Sequence, residues 1–162
     1  MAFKLSSTAF EPGRVIPRKH TGEGEDVSPP LSWEHVPDGT KEFALICDDP
    51  DAPTPQPWVH WVIYGIPAEV RHLPEGIKND PKLTQPILAL QGKNSWDSGK
   101  TIGYRGPMPP PGHGTHHYHF KLYALDTPLE LAPGATKDQL LRAMKGHVVA
   151  LAELIGTYER KK

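Results

Sequence analysis

Thr115-His116-His117-Tyr118-His119-Phe120-Lys121-Leu122-Tyr123-Ala124-Leu125 is the stretch on which the reading of the fold turns. Successive side chains of a strand point to opposite faces. The run therefore divides into His116, Tyr118, Phe120, Leu122 and Ala124 on one face and His117, His119, Lys121, Tyr123 and Leu125 on the other. The first set is the apolar one and faces a core, with His116 and Tyr118 at its mouth end, while His117 and His119 look outward beside Lys121.

Working outward, two further runs have strand character. Lys41 to Cys47 is apolar, is entered through Pro37-Asp38-Gly39 and is left through Asp48-Asp49-Pro50, which places an Asp49-Pro50-Asp51-Ala52-Pro53 loop at a strand end. Trp58 to Tyr64 carries bulky residues at even and odd positions alike, with Trp58, Val62 and Tyr64 on one face and Val59, Trp61 and Ile63 on the other, so it is covered on both sides. His60 is the ionisable residue in its middle, and a buried imidazole needs a partner on at least one nitrogen. Near the C-terminus, Thr136-Lys137-Asp138-Gln139 has the form of a capping box ahead of Leu140, Leu141 and Met144, predicting a short helix over about 137–145 that stops at Gly146. The tail from His147 to Tyr158 fits either a helix or a strand.

A chain of 162 residues suits a single domain, 1–162, with a core of its own. Its 19 prolines and 15 glycines sit as punctuation between short apolar runs rather than in tracts, which predicts a β-rich domain with many loops. A net charge of −1, with both signs interspersed, lacks the long-range field that draws in nucleic acid or an anionic bilayer, so any anion site is local. Met1-Ala2-Phe3-Lys4 has no apolar signal region and no run of eighteen apolar residues follows, so no transmembrane segment and a cytoplasmic location are expected. Cys47, the single cysteine, lies inside an apolar run and is read as a small core residue with no catalytic role.

The chemistry gathers in two segments about fifty residues apart, Asp49 to Pro53 with Trp58-Val59-His60-Trp61 behind it, and Pro109-Pro110-Pro111-Gly112-His113-Gly114-Thr115-His116-His117-Tyr118. Each puts proline-stiffened backbone beside acceptors and imidazoles, which limits the entropy lost in holding a small polar ligand. Taken alone, the aspartate loop reads as a rigid turn and His60 as a satisfied core histidine. Their convergence with His116 reverses both readings. His113, His117 and His119 are most simply solvated.

These segments, together with Gly22-Glu23-Gly24-Glu25-Asp26-Val27-Ser28-Pro29-Pro30-Leu31-Ser32-Trp33, Gly103-Tyr104-Arg105-Gly106-Pro107, Tyr123-Ala124-Leu125-Asp126 and Leu154-Ile155-Gly156-Thr157-Tyr158-Glu159-Arg160, resemble the phosphatidylethanolamine-binding protein family, also called the Raf kinase inhibitor protein family. The resemblance covers nearly the whole chain and is strongest to small bacterial and archaeal members. It implies a mainly β fold, a Greek-key β-sandwich of a large antiparallel sheet and a smaller one with one or two short helices, and it turns the tail into a strand ending near Tyr158. It also implies a ligand pocket of Asp49, His60, Pro110, His116 and Tyr118, supported by Asp51, Trp58, Gly112 and His117. Two departures stand out: His117 occupies the place of the arginine that pairs with the acidic loop, and Gly22 and Met108 occupy places where close relatives carry cysteines.

The function this implies is non-enzymatic binding of a small anion or phosphorylated group, such as a phosphoethanolamine-like head group, in a regulatory role and with no cofactor or metal. His60, His116 and the Tyr118 hydroxyl are expected to act as three donors that gain charge as pH falls, with Asp49 accepting from an imidazole or from a ligand ammonium. Two other classes compete: an inhibitor of a kinase or peptidase acting through protein contacts on an unknown target, and a metal-dependent hydrolase built on the histidines of 113–119 with Asp49 or Asp51. Bacterial members of the family suggest a homodimer, although no exposed apolar stripe in the sequence argues for one.

Overall fold

The computed structural model describes residues 2–161, so the two ends of the 1–162 span lie outside it. Its strands are β1 (Lys4–Ser6), β2 (Leu31–Glu34), β3 (Glu42–Asp49), β4 (Trp58–Pro67), β5 (His72–Leu73), β6 (Lys82–Leu83), β7 (Ala89–Gln91), β8 (His116–Leu125) and β9 (Val148–Tyr158). They form two antiparallel sheets, a small one in the order β1-β2-β5 and a large one in the order β6-β7-β4-β3-β8-β9. Among the described residues, helical structure is confined to a 3-10 turn at Arg18–His20 and α2 (Lys137–Met144), while α1 (Trp96–Gly99) is a single left-handed turn with φ of 54° at Asp97, 59° at Ser98 and 78° at Gly99. The mainly β two-sheet architecture expected from the sequence is the one observed.

The expected capping box opens α2: the Thr136 hydroxyl accepts from the Gln139 amide at 3.1 Å, and the Gln139 side chain accepts from the Thr136 amide at 2.9 Å. The tail beyond it is strand, pairing along β8 from Val148 to Tyr158. No helix among the described residues is long and apolar enough to cross a membrane.

Two cores flank the large sheet. Between the sheets, Phe43, Leu45, Cys47, Trp61, Ile63, Phe120 and Leu122 meet Leu5, Leu31, Trp33 and Leu73. On the opposite face, Ala44, Ile46, Val62, Tyr64 and Leu125 are covered by Leu140 and Met144 of α2. β3 therefore has every residue buried, which is why its sequence is an apolar run without alternation. The outward-looking half of β8 is solvated at the His117 end, but Tyr123 and Leu125 belong to this second core. Cys47 is buried at the sandwich centre, where burial pushes its thiol well above the usual range and leaves it inert.

Two readings of the strands need correcting. Val59 packs with Val62 and Tyr64 rather than with Trp61 and Ile63. The cause is a β-bulge: Cys47 pairs with Trp61 and Asp48 with Val59, which leaves His60 as the extra residue and shifts the alternation by one. The structure also exposes an apolar strip on β9, with Val148, Val149 and Leu151 each at least 41 % accessible, which the tail's ambiguous periodicity concealed.

Candidate functional site

Antiparallel pairing brings the C-terminal end of β3 and the N-terminal ends of β4 and β8 to one edge of the sandwich. Asp49, Trp58 with His60, and His116 with Tyr118 are thereby collected at that edge. They line an open cleft of about 190 Å³ together with Pro110, so the five residues expected to contact a ligand and the expected Trp58 wall lie in one place.

Asp49 is buried at the end of β3 and both its oxygens are used. Oδ1 accepts the Asp51 amide at 2.8 Å and tightens the loop, while Oδ2 accepts from His116 Nδ1 at 2.6 Å. A carboxylate can only accept here, so His116 Nδ1 carries a proton and its reactive nitrogen is Nε2. That nitrogen lies 2.6 Å from Nδ1 of His113. The facing nitrogens share one proton, and an Asp49–His116–His113 chain runs from the buried carboxylate to the surface. His113, expected to be solvated, is thus part of the site; the signal available was its place between Gly112 and Gly114, three residues before His116.

Tyr118 is buried beside His116, and its hydroxyl has no hydrogen-bond partner among the described residues. Burial first, then Asp49, raises its ionisation well above the ordinary phenol range, so it remains an O–H donor. Its ring meets His60 edge-on at 5.0 Å, and His60 in turn meets Trp96 at 4.9 Å. Trp96, which no motif indicated, also packs on Trp58 at 5.4 Å and completes the aromatic wall.

His60 differs from its expected role as a charged donor. Its Nδ1 lies 2.7 Å from the Arg105 carbonyl, which must accept, so the neutral ring presents Nε2 as an acceptor. Burial lowers its pKa to about 4, outweighing the opposing pulls of the Arg105 carbonyl, Asp49, Asp48 and the Gly106 carbonyl. His60 therefore brings no positive charge to the cleft above about pH 4.

The other expected supporting residues, Asp51, Gly112 and His117, sit around the cleft rather than in its wall. Asp51 Oδ2 accepts from both the amide and Nδ1 of His117 at 2.8 Å, so the histidine in the arginine place does latch the loop. Burial pushes the Asp51 carboxyl up, but the His117 bonds outweigh it and hold it below its usual range. Gly112 donates its amide to the Arg160 carbonyl at 2.9 Å and fixes the Pro109–Gly112 turn against the chain end. Behind His60, Asp26 accepts the Gly106 amide at 2.6 Å and pairs with Arg105 at 3.4 Å. A Cβ on Gly106 would fall 2.0 Å from the His20 carbonyl oxygen, so this close approach requires glycine. The Gly22–Trp33 and Gly103–Pro107 motifs thus brace the cleft from behind. Gly22 and Met108 are neighbours there, since a Cβ on Gly22 would meet Met108 Sδ at 2.8 Å.

Four histidines near the cleft separate by face. His117 turns to Asp51 and His119 to Glu153 at 3.0 Å, away from the His113–His116 pair. The set imagined for a metal-dependent hydrolase does not converge, and no group of three or more His, Cys, Asp or Glu among the described residues is placed to hold a metal ion.

A family model described as phosphatidylethanolamine-binding protein matches residues 6–159. A UPF0098 protein of Pyrococcus horikoshii is 50% identical over 161 residues, covering 99% of this chain and 78% of that one. Among solved structures, a putative phosphatidylethanolamine-binding protein homolog from Chlamydia trachomatis superposes with a TM-score of 0.87 at 43% identity, covering 99% of each chain. E. coli YBCL superposes with a TM-score of 0.89 at 35% identity, covering 99% of this chain and 100% of that one.

Proposed function

Because this chain belongs to the phosphatidylethanolamine-binding protein family, we propose that it is a non-enzymatic binding module for small phosphorylated ligands, with a phosphoethanolamine-like zwitterion as the model compound and a regulatory role. The observation that carries this reading is the Tyr118 hydroxyl, a buried donor with no hydrogen-bond partner among the described residues, on a side chain that lines an open cleft. Leaving such a group unpaired costs roughly 1–3 kcal/mol, which a ligand oxygen would recover. In this reading the phosphoryl group takes the Tyr118 hydroxyl and the imidazole pair of His116 and His113, while the ammonium approaches the Asp49 carboxylate. Trp58, Trp96 and Pro110 exclude water and strengthen these contacts. No Ser, Thr or Cys nucleophile is hydrogen-bonded to these imidazoles among the described residues, so covalent chemistry has no support.

Calorimetric titration of phosphoethanolamine at mildly acidic pH, alongside a His116→Ala variant shown to be folded, tests the proposal. Saturable binding that the variant loses is the expected result. Absence of binding to the unaltered protein would overturn it and favour inhibition through protein contacts instead.

A further inference from the structure

The hydrogen-bonding sense of the cleft is fixed by its backbone partners. His60 Nδ1 donates to the Arg105 carbonyl at 2.7 Å, and the Arg105 amide donates back to the His60 carbonyl at 3.0 Å, so ring and backbone are tied to the same residue. Arg105 is itself held by Asp26 at 3.4 Å, and its guanidinium lies over the Trp96 ring at 5.4 Å. The imidazole is clamped edge-on by Trp96 at 4.9 Å and Tyr118 at 5.0 Å. A half-turn of the ring would put Cδ2 where Nδ1 stands and break the Arg105 bond. Nε2 is consequently a bare lone pair on the cleft wall, with no partner among the described residues.

The groups that face this ring do not reverse its sense. Asp49 on β3 favours a charged imidazole but has both oxygens committed, one to the Asp51 amide and one to His116. Tyr118 on β8 is a neutral donor, and Asp48 points to the other side of the sheet, where it pairs with Lys137 at 2.6 Å. Burial keeps the ring uncharged down to about pH 4. The cleft thus offers a ligand one donor, Tyr118, one hydrogen-bonded imidazole pair, His116 with His113, and one fixed acceptor, His60. A fully deprotonated oxyanion brings only acceptors and would set a lone pair against His60 Nε2. An oxyanion that retains a P–OH donates to Nε2 while another of its oxygens accepts from Tyr118.

We propose that His60 is a specificity-determining residue and that the ligand is an oxyanion carrying its own proton, a phosphomonoester or inorganic phosphate in preference to a phosphodiester or sulfate. This rests on reading the cleft as an anion site and adds the ligand class to it. A phosphomonoester has a second pKa of about 6 and so keeps a proton in mildly acidic solution. Sulfate and a dialkyl phosphate have none to give, and dimethyl phosphate matches the charge of the methyl phosphate monoanion. An intact phospholipid head group is a phosphodiester, so the preferred partners are free or protein-borne phosphomonoesters.

Isothermal titration of the unaltered protein near pH 6 with methyl phosphate, inorganic phosphate, dimethyl phosphate and sulfate decides the matter. Methyl phosphate and phosphate are expected to bind at least about tenfold more tightly than the other two, the scale of one unmatched buried hydrogen bond. A Tyr118→Phe variant is expected to weaken all four and leave the ratio in place. Equal affinity for methyl phosphate and dimethyl phosphate would overturn the role of His60 while leaving the anion cleft standing; no binding of any of the four would overturn both. Nitrogen-15 spectra give a reading independent of affinity: His60 Nε2 should show the shift of an unprotonated ring nitrogen in the free protein and move when methyl phosphate, but not sulfate, is added. A protonated Nε2 in the free protein would refute the proposal.

Discussion

Replacing Tyr118 with phenylalanine removes one oxygen and should make the ligand-free protein more stable while making it a poorer binder. Tyr118 is 1 % exposed, and its hydroxyl lacks a hydrogen-bond partner among the described residues. Its ring packs against His60 at 5.0 Å, a contact that phenylalanine keeps. The substitution therefore creates no cavity beyond one oxygen, breaks no bond within the protein and removes a desolvated polar group whose unpaired state costs roughly 1–3 kcal/mol. Allowing for partial relief by motion of the ring, the expected gain is about 1–2 kcal/mol. In a domain of this size each kcal/mol moves Tm by 2–4 °C, which puts the increase at about 2–8 °C. Thermal unfolding in a buffer free of phosphate and carboxylate measures it, and calorimetry on the same sample should show weakened binding of phosphoethanolamine. A Tm unchanged or lowered by the substitution would mean that the hydroxyl is already paired in the free protein, and the argument that it is held in reserve for a ligand would fail. Such an exchange of stability for function is what a donor aimed at a ligand entails.

Two further perturbations probe the surroundings. The pKa of His60 is about 4 in the folded protein against an ordinary 6.5, so the unfolded chain binds the extra proton first; the stability held in the neutral ring is fully present above about pH 6.5 and is lost as pH falls toward 4. Between pH 7 and pH 4.5 this amounts to roughly 2–3 kcal/mol, measurable as the difference in urea unfolding between the unaltered protein and a folded His60→Asn variant, with parallel pH profiles counting against it. Gly156→Ala tests the packing of β9, because the added Cβ would stand 2.6 Å from Ile16 Cγ1 and 2.7 Å from Phe10 Cε2. Overpacking of this kind costs about 1–3 kcal/mol, and a urea midpoint equal to that of the unaltered protein would show that Ile16 and Phe10 can move aside.

Most of the fold was legible because its signals are local. The alternation along 116–124 names the buried face of β8 correctly, and the capping box fixes the start of α2. The unbroken apolar run of Lys41–Cys47 reads correctly as a strand, and Trp58–Tyr64 as one covered on both faces. Where the reading of β4 fails, the cause is not local: the bulge at His60 arises from pairing with β3, and nothing in Trp58–Tyr64 itself announces an extra residue. The tail remained ambiguous because its apolar residues satisfy two periods at once, and only the ladder with β8 decides between them. The exposed strip of Val148, Val149 and Leu151 was hidden by the same ambiguity.

The site divides in a similar way. Side-chain period turns His116 and Tyr118 inward and turn chemistry puts Asp49 at a strand end, because both are properties of a few consecutive residues; the full set of Asp49, His60, Pro110, His116 and Tyr118 with the Trp58 wall came from the family resemblance. The tertiary structure alone decided which nitrogen of each imidazole is free. The Arg105 carbonyl, 45 residues from His60 in the chain, makes that histidine an acceptor, and Asp49, 67 residues from His116, makes that one present Nε2 to His113. Proton placement is set by whichever partner the fold brings within about 3 Å, and such partners are chosen by strand register and loop closure rather than by sequence neighbours.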